Sequence, residues 1–173
     1  VDSCGPGVRF EDYPVGQPAL LLDTSVDGTN AFTGSCGGRD AAEKVLRYVN
    51  PFNARVVFSV DHEETIANTL IYVRTDCVNQ NSELGCETGA QARPNEPASN
   101  KGTLRVERLP PGEFFVVVDH AFGMGGPVKL TVDVERLPPG CSDGVDNDED
   151  GRVDADDAGC EGPDDEDERD PDE

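Results

Sequence analysis

The apolar residues of this chain come in short runs of four to seven, at 19–22, 44–49, 54–60, 69–74, 103–109, 113–118 and 128–134, with turn residues between them. Asn50-Pro51, Pro110-Pro111-Gly112, residues 123–127 and Pro138-Pro139-Gly140 are the clearest breaks. A helix needs an apolar stripe sustained over several turns. No stretch here carries one for more than about two turns, although residues 40–46 could start one. The run from Leu104 to Leu109 alternates apolar and polar residues, as a strand with one wet face should. Residues 114–118 are apolar on both faces, which suits a central strand. Short, evenly spaced strands with Gly and Pro turns predict an all-β fold, an antiparallel β-sandwich or jelly roll.

That pattern stops near residue 140. Residues 141–173 carry 17 Asp or Glu against Arg152 and Arg169, so −15 of the chain's −22 formal charge lies there. So negative a balance repels phosphate backbones and anionic lipid surfaces, which argues against nucleic acid and membrane partners. It attracts hard cations, whose preferred ligands are carboxylate oxygens. No apolar run approaches the length of a membrane span. No signal peptide is visible at Val1, so either the chain is not exported or its numbering begins after processing.

The cysteines favour the second reading. Cys4, Cys36, Cys77, Cys86, Cys141 and Cys160 are even in number and contain no Cys-x-x-Cys pair, whereas zinc sites usually need close pairs. Six cysteines permit many connectivities. Cys77 and Cys86 bracket a polar loop, and Cys141 and Cys160 bracket an acidic one. The expected pairs are therefore Cys77–Cys86 and Cys141–Cys160, with Cys4–Cys36 by remainder. Three disulfides imply an oxidising compartment, hence a secreted or cell-surface protein. The long polar loop at 79–100 would be tethered through its first half. The heptapeptide Val-Glu-Arg-Leu-Pro-Pro-Gly occurs at 106–112 and again at 134–140. It reads as two strand ends running into the same kind of turn rather than as a duplication.

The strongest chemical signal lies between the last two cysteines. From Asp146 to Asp157, oxygen donors fall at loop positions 1, 3, 5, 9 and 12, with Gly151 at position 6, where the chain must turn sharply. Calcium takes six to eight oxygens, and alternate residues of a curling loop point their carboxylates inward. Asp146, Asp148, Asp150 and Asp157 are the expected direct ligands. The Arg152 carbonyl would fill position 7, and Asp154 would bind directly or through water. Val153 at position 8 is the apolar anchor. Asp157 stands where an EF-hand has Glu, and Pro138, Pro139 and Gly159 leave no flanking helices. The expectation is a bare calcium loop closed by a disulfide. A solvated acidic tail is the alternative for this stretch, and it is the expectation for residues 161–173.

The segment Cys141-Ser-Asp-Gly-Val-Asp-Asn-Asp-Glu-Asp-Gly151, through to Gly159-Cys160, resembles the Asp-rich calcium motifs of thrombospondin type 3 repeats and dockerins. It is similar also to segments of secreted myxobacterial proteins. The body from about Gly28 to Val134 resembles the bacterial pre-peptidase C-terminal domain. The resemblance is carried by Gly34-Ser35-Cys36-Gly37-Gly38, Val45-Leu46-Arg47-Tyr48, residues 69–77, Glu83-Leu84-Gly85-Cys86 and residues 111–119. It implies a calcium-stabilised β-sandwich appended to exported bacterial proteins, with an auxiliary role and no catalytic residues.

The expected organisation is a sandwich over 1–140, a calcium loop over 141–160 and an unordered acidic end over 161–173. The expected function is that of a non-catalytic extracellular calcium-binding module serving adhesion, substrate binding or structural assembly. Its partner would be an extracellular ligand or a neighbouring domain or subunit. A small secreted hydrolase or inhibitor on the same sandwich is the alternative. Asp61-His62 and Asp119-His120 each follow a strand and could form a small metal site with Glu63 or Glu64. Ser35 and Ser59 lack an elbow motif around a nucleophile.

Overall fold

The structure, a computed structural model, describes residues 4–5, 8–14, 16–39, 41–89 and 100–169. It contains β1 (Phe10–Asp12), β2 (Ala19–Asp23), β3 (Lys44–Asn50), β4 (Ala54–Ser59), β5 (Thr69–Arg74), β6 (Glu83–Glu87), β7 (Thr103–Leu109), β8 (Gly112–His120) and β9 (Pro127–Arg136). One sheet has the order β1-β3-β8-β5-β6 and the other β2-β9-β4-β7. The pairings are antiparallel except for β1, which lies parallel to β3 at the edge of the first sheet. The all-β sandwich is as expected. The two strands absent from the sequence reading, β1 and β6, are short edge strands whose residues are only partly buried. They therefore lack a full apolar run. Residues 40–46 open no helix, since β3 begins at Lys44.

Between the sheets, Leu46, Tyr48, Val56, Phe58, Ile71, Val73, Leu104, Leu109, Phe114, Val116, Leu130 and Val132 form the main core. The outer face of the second sheet is wet. There Arg55 bridges Glu107 at 2.7 Å and Glu135 at 2.6 Å across three neighbouring strands. The outer face of the first sheet is not. Val45, Leu70, Tyr72, Phe115 and Val117 pack there beneath Cys4, Phe32 and Cys77. β5 is consequently buried at all six of its residues, and this double burial is why residues 114–118 are apolar on both faces.

The covering segments are stapled to the sheet, and this corrects the expected cysteine pairing. The bonds are Cys4–Cys77, Cys36–Cys86 and Cys141–Cys160. In the β5–β6 hairpin Cys86 stands opposite Tyr72, so it does not face Cys77 across the loop. Each of the two cysteines instead reaches a segment lying over the sheet. Cys141–Cys160 is as expected.

The two Val-Glu-Arg-Leu-Pro-Pro-Gly copies take different exits. The first turns from β7 straight into β8, with Asn50 Nδ2 donating to the carbonyls of Leu109 at 2.8 Å and Pro110 at 2.9 Å. The second leads out of β9 and away from the sandwich. A register shift between Ala54 and Val56 places Leu109 in the core opposite Ala54. That frees Arg108 to bond Asp143 at 2.6 Å.

Among the described residues, 141–169 contain no strand. They hold two 3₁₀ turns, Gly140–Ser142 and Asp154–Asp156, and form a cap on the sandwich. Residues 161–169, expected as an unordered acidic end, lie against the loop and the sandwich in the structure. Cys141 donates its amide to the Asp165 carbonyl at 3.0 Å, and Asn53 donates its own to Glu166 Oε2 at 3.0 Å. Carboxylates accepting otherwise orphaned backbone amides supply what an acidic segment lacks in apolar groups.

Candidate metal centre

The loop curls as its spacing requires. Gly151 adopts φ +95°, a conformation that disfavours side chains. Its amide donates to Asp146 Oδ2 at 2.9 Å. The amide of Asp150 donates to Asp148 Oδ1 at 3.2 Å, and that of Arg152 to Asp150 Oδ1 at 2.8 Å. Each aspartate thus spends one oxygen holding the backbone two to five residues ahead, which leaves the other oxygen to turn inward. Ligand atoms of Asp146, Asp148 and Asp150 lie within 4.8 Å of one another, an arrangement that could hold a metal ion.

The inward oxygens are not satisfied. Asp146 Oδ1, Asp148 Oδ2 and Asp157 Oδ2 are buried and have no hydrogen-bond partner. Asp157 is only 4 % exposed, and its other oxygen accepts the Gly159 amide at 2.7 Å. Burial pushes the Asp148 carboxyl above the usual carboxylate range, and the negative charges of Asp150, Asp157 and Asp146 add to the effect. Asp157 acts on Asp148 through its charge but lies outside that close trio. Buried carboxylate oxygens without donors are costly in an anionic pocket, and a bound cation removes that cost.

Asp154, at φ +52°, turns its carboxylate to the Gly144 amide, at 3.0 and 3.1 Å. The Arg152 guanidinium leans toward Asp150, with Nε 3.9 Å from Oδ2.

Glu168 and Asp143 were not among the expected site residues, yet both shape the loop. Asp143 accepts the Val145 amide at 2.8 Å besides its bond to Arg108. Nothing in an acidic run of uniform composition marks Glu168 out. The single available signal was the pair of glycines, Gly140 and Gly159, beside the two cysteines.

The histidines do not meet at a metal site. His120 is buried, with Nε2 2.6 Å from Thr24 Oγ1 and Nδ1 3.1 Å from Thr69 Oγ1. His62 Nε2 lies 3.0 Å from Thr131 Oγ1. Burial holds the His120 imidazole below its usual pKa, so it is a neutral tie between strands and loop. Its neighbour Asp119, fully buried, is pushed up to about 8, chiefly by burial, with Glu43 adding its charge. Among the described residues no helix is long and apolar enough to cross a membrane.

No family model matches the chain, and no curated protein matches it. Among solved structures, the chain is similar to the pre-peptidase C-terminal domain of a collagenase from Bacillus anthracis. The likeness has a TM-score of 0.45 at 9 % identity, over 75 % of this chain and 99 % of that one. The chain is also similar to PliG of Aeromonas hydrophila, a periplasmic inhibitor of g-type lysozyme. Here the TM-score is 0.40 at 13 % identity, over 74 % of this chain and 97 % of that one.

Proposed function

We propose that this protein is a secreted or cell-surface, non-catalytic calcium-binding module. Residues 1–140 are the sandwich, and residues 141–160 are the ion loop. Residues 161–173 are an acidic extension, of which residues 161–169 complete the cap. The observation that carries the reading is the set of buried, partnerless oxygens on Asp146, Asp148 and Asp157. Asp150 supplies a further carboxylate to the same set. The all-oxygen donor set and its high negative charge favour calcium over softer metals. The Arg152 carbonyl fills position 7, and Asp154 contributes through a bridging water, consistent with its carboxylate facing Gly144. Three disulfides suit an oxidising, extracellular setting. The module serves adhesion, substrate binding or structural assembly, its ion stiffening the cap at one end of the sandwich. Titration calorimetry with calcium chloride tests this on the full chain. One site is expected, with Kd on the order of 10⁻⁴ to 10⁻³ M as in other extracellular modules. It should vanish when Asp148→Ala and Asp150→Ala are combined. Undiminished binding by that variant would move the ion elsewhere.

A further inference from the structure

The cap contains a second layer around the candidate ion loop, built by a segment outside the loop. Residues 161–169 run back as a strap. Glu168, 1 % exposed, accepts the Asp154 amide on Oε1 at 2.7 Å and the Asn147 amide on Oε2 at 2.6 Å. These amides belong to the two arms of the loop, one next to Asp146 and Asp148 and the other three residues before Asp157. One carboxylate therefore sets the distance between the arms. The strap is fixed at its other end to the sandwich. Glu166 Oε2 accepts the Asn53 amide, the Glu166 carbonyl accepts Asn53 Nδ2 at 3.2 Å, and Arg136 approaches Glu166 Oε1 at 3.4 Å.

The sequence makes room for the strap in two places. A β-carbon on Gly159 would overlap the Glu168 carbonyl oxygen, and one on Gly140 would fall 2.8 Å from the Glu166 carbonyl oxygen. Both glycines adjoin the disulfide that closes the loop. Neither is in the positive-φ region, so close approach of the strap accounts for them.

The geometry points to Glu168 as a positioning residue that couples cation binding in the loop to docking of the strap against Asn53. This rests on the reading of the loop as a calcium site. When the strap is docked, the two arms are held at the separation that converges Asp146, Asp148 and Asp150 and keeps Asp157 buried nearby. When the ion is bound, the arms present both amides to Glu168, so the strap is held more firmly. The coupling is reciprocal by necessity.

The test uses the full chain and calcium chloride. Glu168→Gln should raise the calcium Kd by about tenfold, the usual cost of losing a residue that orients metal ligands. Asp167→Asn removes the same charge from a more exposed neighbour whose carboxylate, among the described residues, accepts the Arg169 amide and faces its guanidinium at 4.0 Å. It should change Kd by no more than about twofold, as a screened surface charge does. Gly159→Ala leaves charge unchanged and displaces the strap, and it should raise Kd in the same direction as Glu168→Gln. In the unaltered chain, calcium should slow hydrogen exchange at the Asn53 amide, and in Glu168→Gln at saturating calcium that protection should be lost. Equal Kd values for Glu168→Gln and Asp167→Asn, or an Asn53 amide indifferent to calcium in the unaltered chain, would overturn the coupling while leaving the ion site standing. Absence of calcium binding by the unaltered chain would overturn the site itself, and the coupling with it.

Discussion

The sandwich and its cap are held by opposite means. In the sandwich, apolar side chains from both sheets fill one core, and the first sheet is covered on its second face as well. In the cap, from Cys141 to Arg169, carboxylates accept backbone amides at Asn147, Asp150, Gly151, Arg152 and Asp154, and a disulfide closes the loop. The sandwich resists unfolding by the area it removes from water. The cap is ordered by short-range electrostatics, so its order depends on what neutralises it. The difference teaches that a segment with few apolar residues can be held in place when its carboxylates accept backbone amides.

The most severe test of the contrast is in the core. Phe58 is fully buried and meets Tyr48 edge to face with ring centroids 5.4 Å apart. Phe58→Ala should cost about 3–5 kcal/mol in denaturant unfolding. A much smaller loss would mean the sandwich is not the dominant source of stability. Removing the cap's covalent tie comes next. Cys141→Ser with Cys160→Ser releases a loop of 19 residues' separation, an effect of about 3 kcal/mol on the chain-entropy estimate. Hydrogen exchange should show this in the cap amides, with β3, β5 and β8 unaffected. Loss of protection in those strands would join the two regions into one cooperative unit.

Calcium itself ranks third. At a hundredfold excess over Kd it should stabilise the cap by about 2.7 kcal/mol, and a chelator should reverse this. Equal thermal melts with calcium and with chelator, followed by a signal from the cap, would contradict the contrast. The last effect is a slope, small per pH unit. Asp119 has a folded-state pKa of about 8, above the value it has in an unfolded chain. The stability it allows is complete below about pH 4 and declines as pH rises toward about 8. There the unfolded chain has released the proton and the folded one still holds it. Asp119→Asn should flatten this decline, which is at most about 1.4 kcal/mol per pH unit. An unchanged slope would show that Asp119 ionises freely in the fold.

The sandwich was legible because burial on a pleated surface imposes a period of two. Along β4 burial alternates residue by residue, with Ala54, Val56 and Phe58 turned into the core. The double burial of β8 was legible from the same cause. The register shift at Ala54–Val56 was not, since a bulge changes which of Leu109 and Arg108 faces inward without altering composition. The loop's turn at Gly151 was legible because the backbone there takes a positive φ that glycine favours. The role of Glu168 was hidden, because it depends on where the strap returns in space. The placement of residues 161–169 depends likewise on donors distant in sequence, Asn53 and the loop.

The covering of the first sheet has a consequence for how the chain reaches its native state. The native bonds Cys4–Cys77 and Cys36–Cys86 span 73 and 50 residues, while the alternatives Cys4–Cys36 and Cys77–Cys86 close shorter loops. In an unfolded chain shorter loops close more often. Oxidation before folding therefore favours the wrong pairs, and these leave the segments carrying Cys4 and Cys36 unable to reach the sheet. The native pairs become favoured only after β5 and β6 have set Cys77 and Cys86 apart. Refolding of the reduced protein should then be limited by thiol exchange, on a scale of seconds to hours, and a mild redox buffer should speed it.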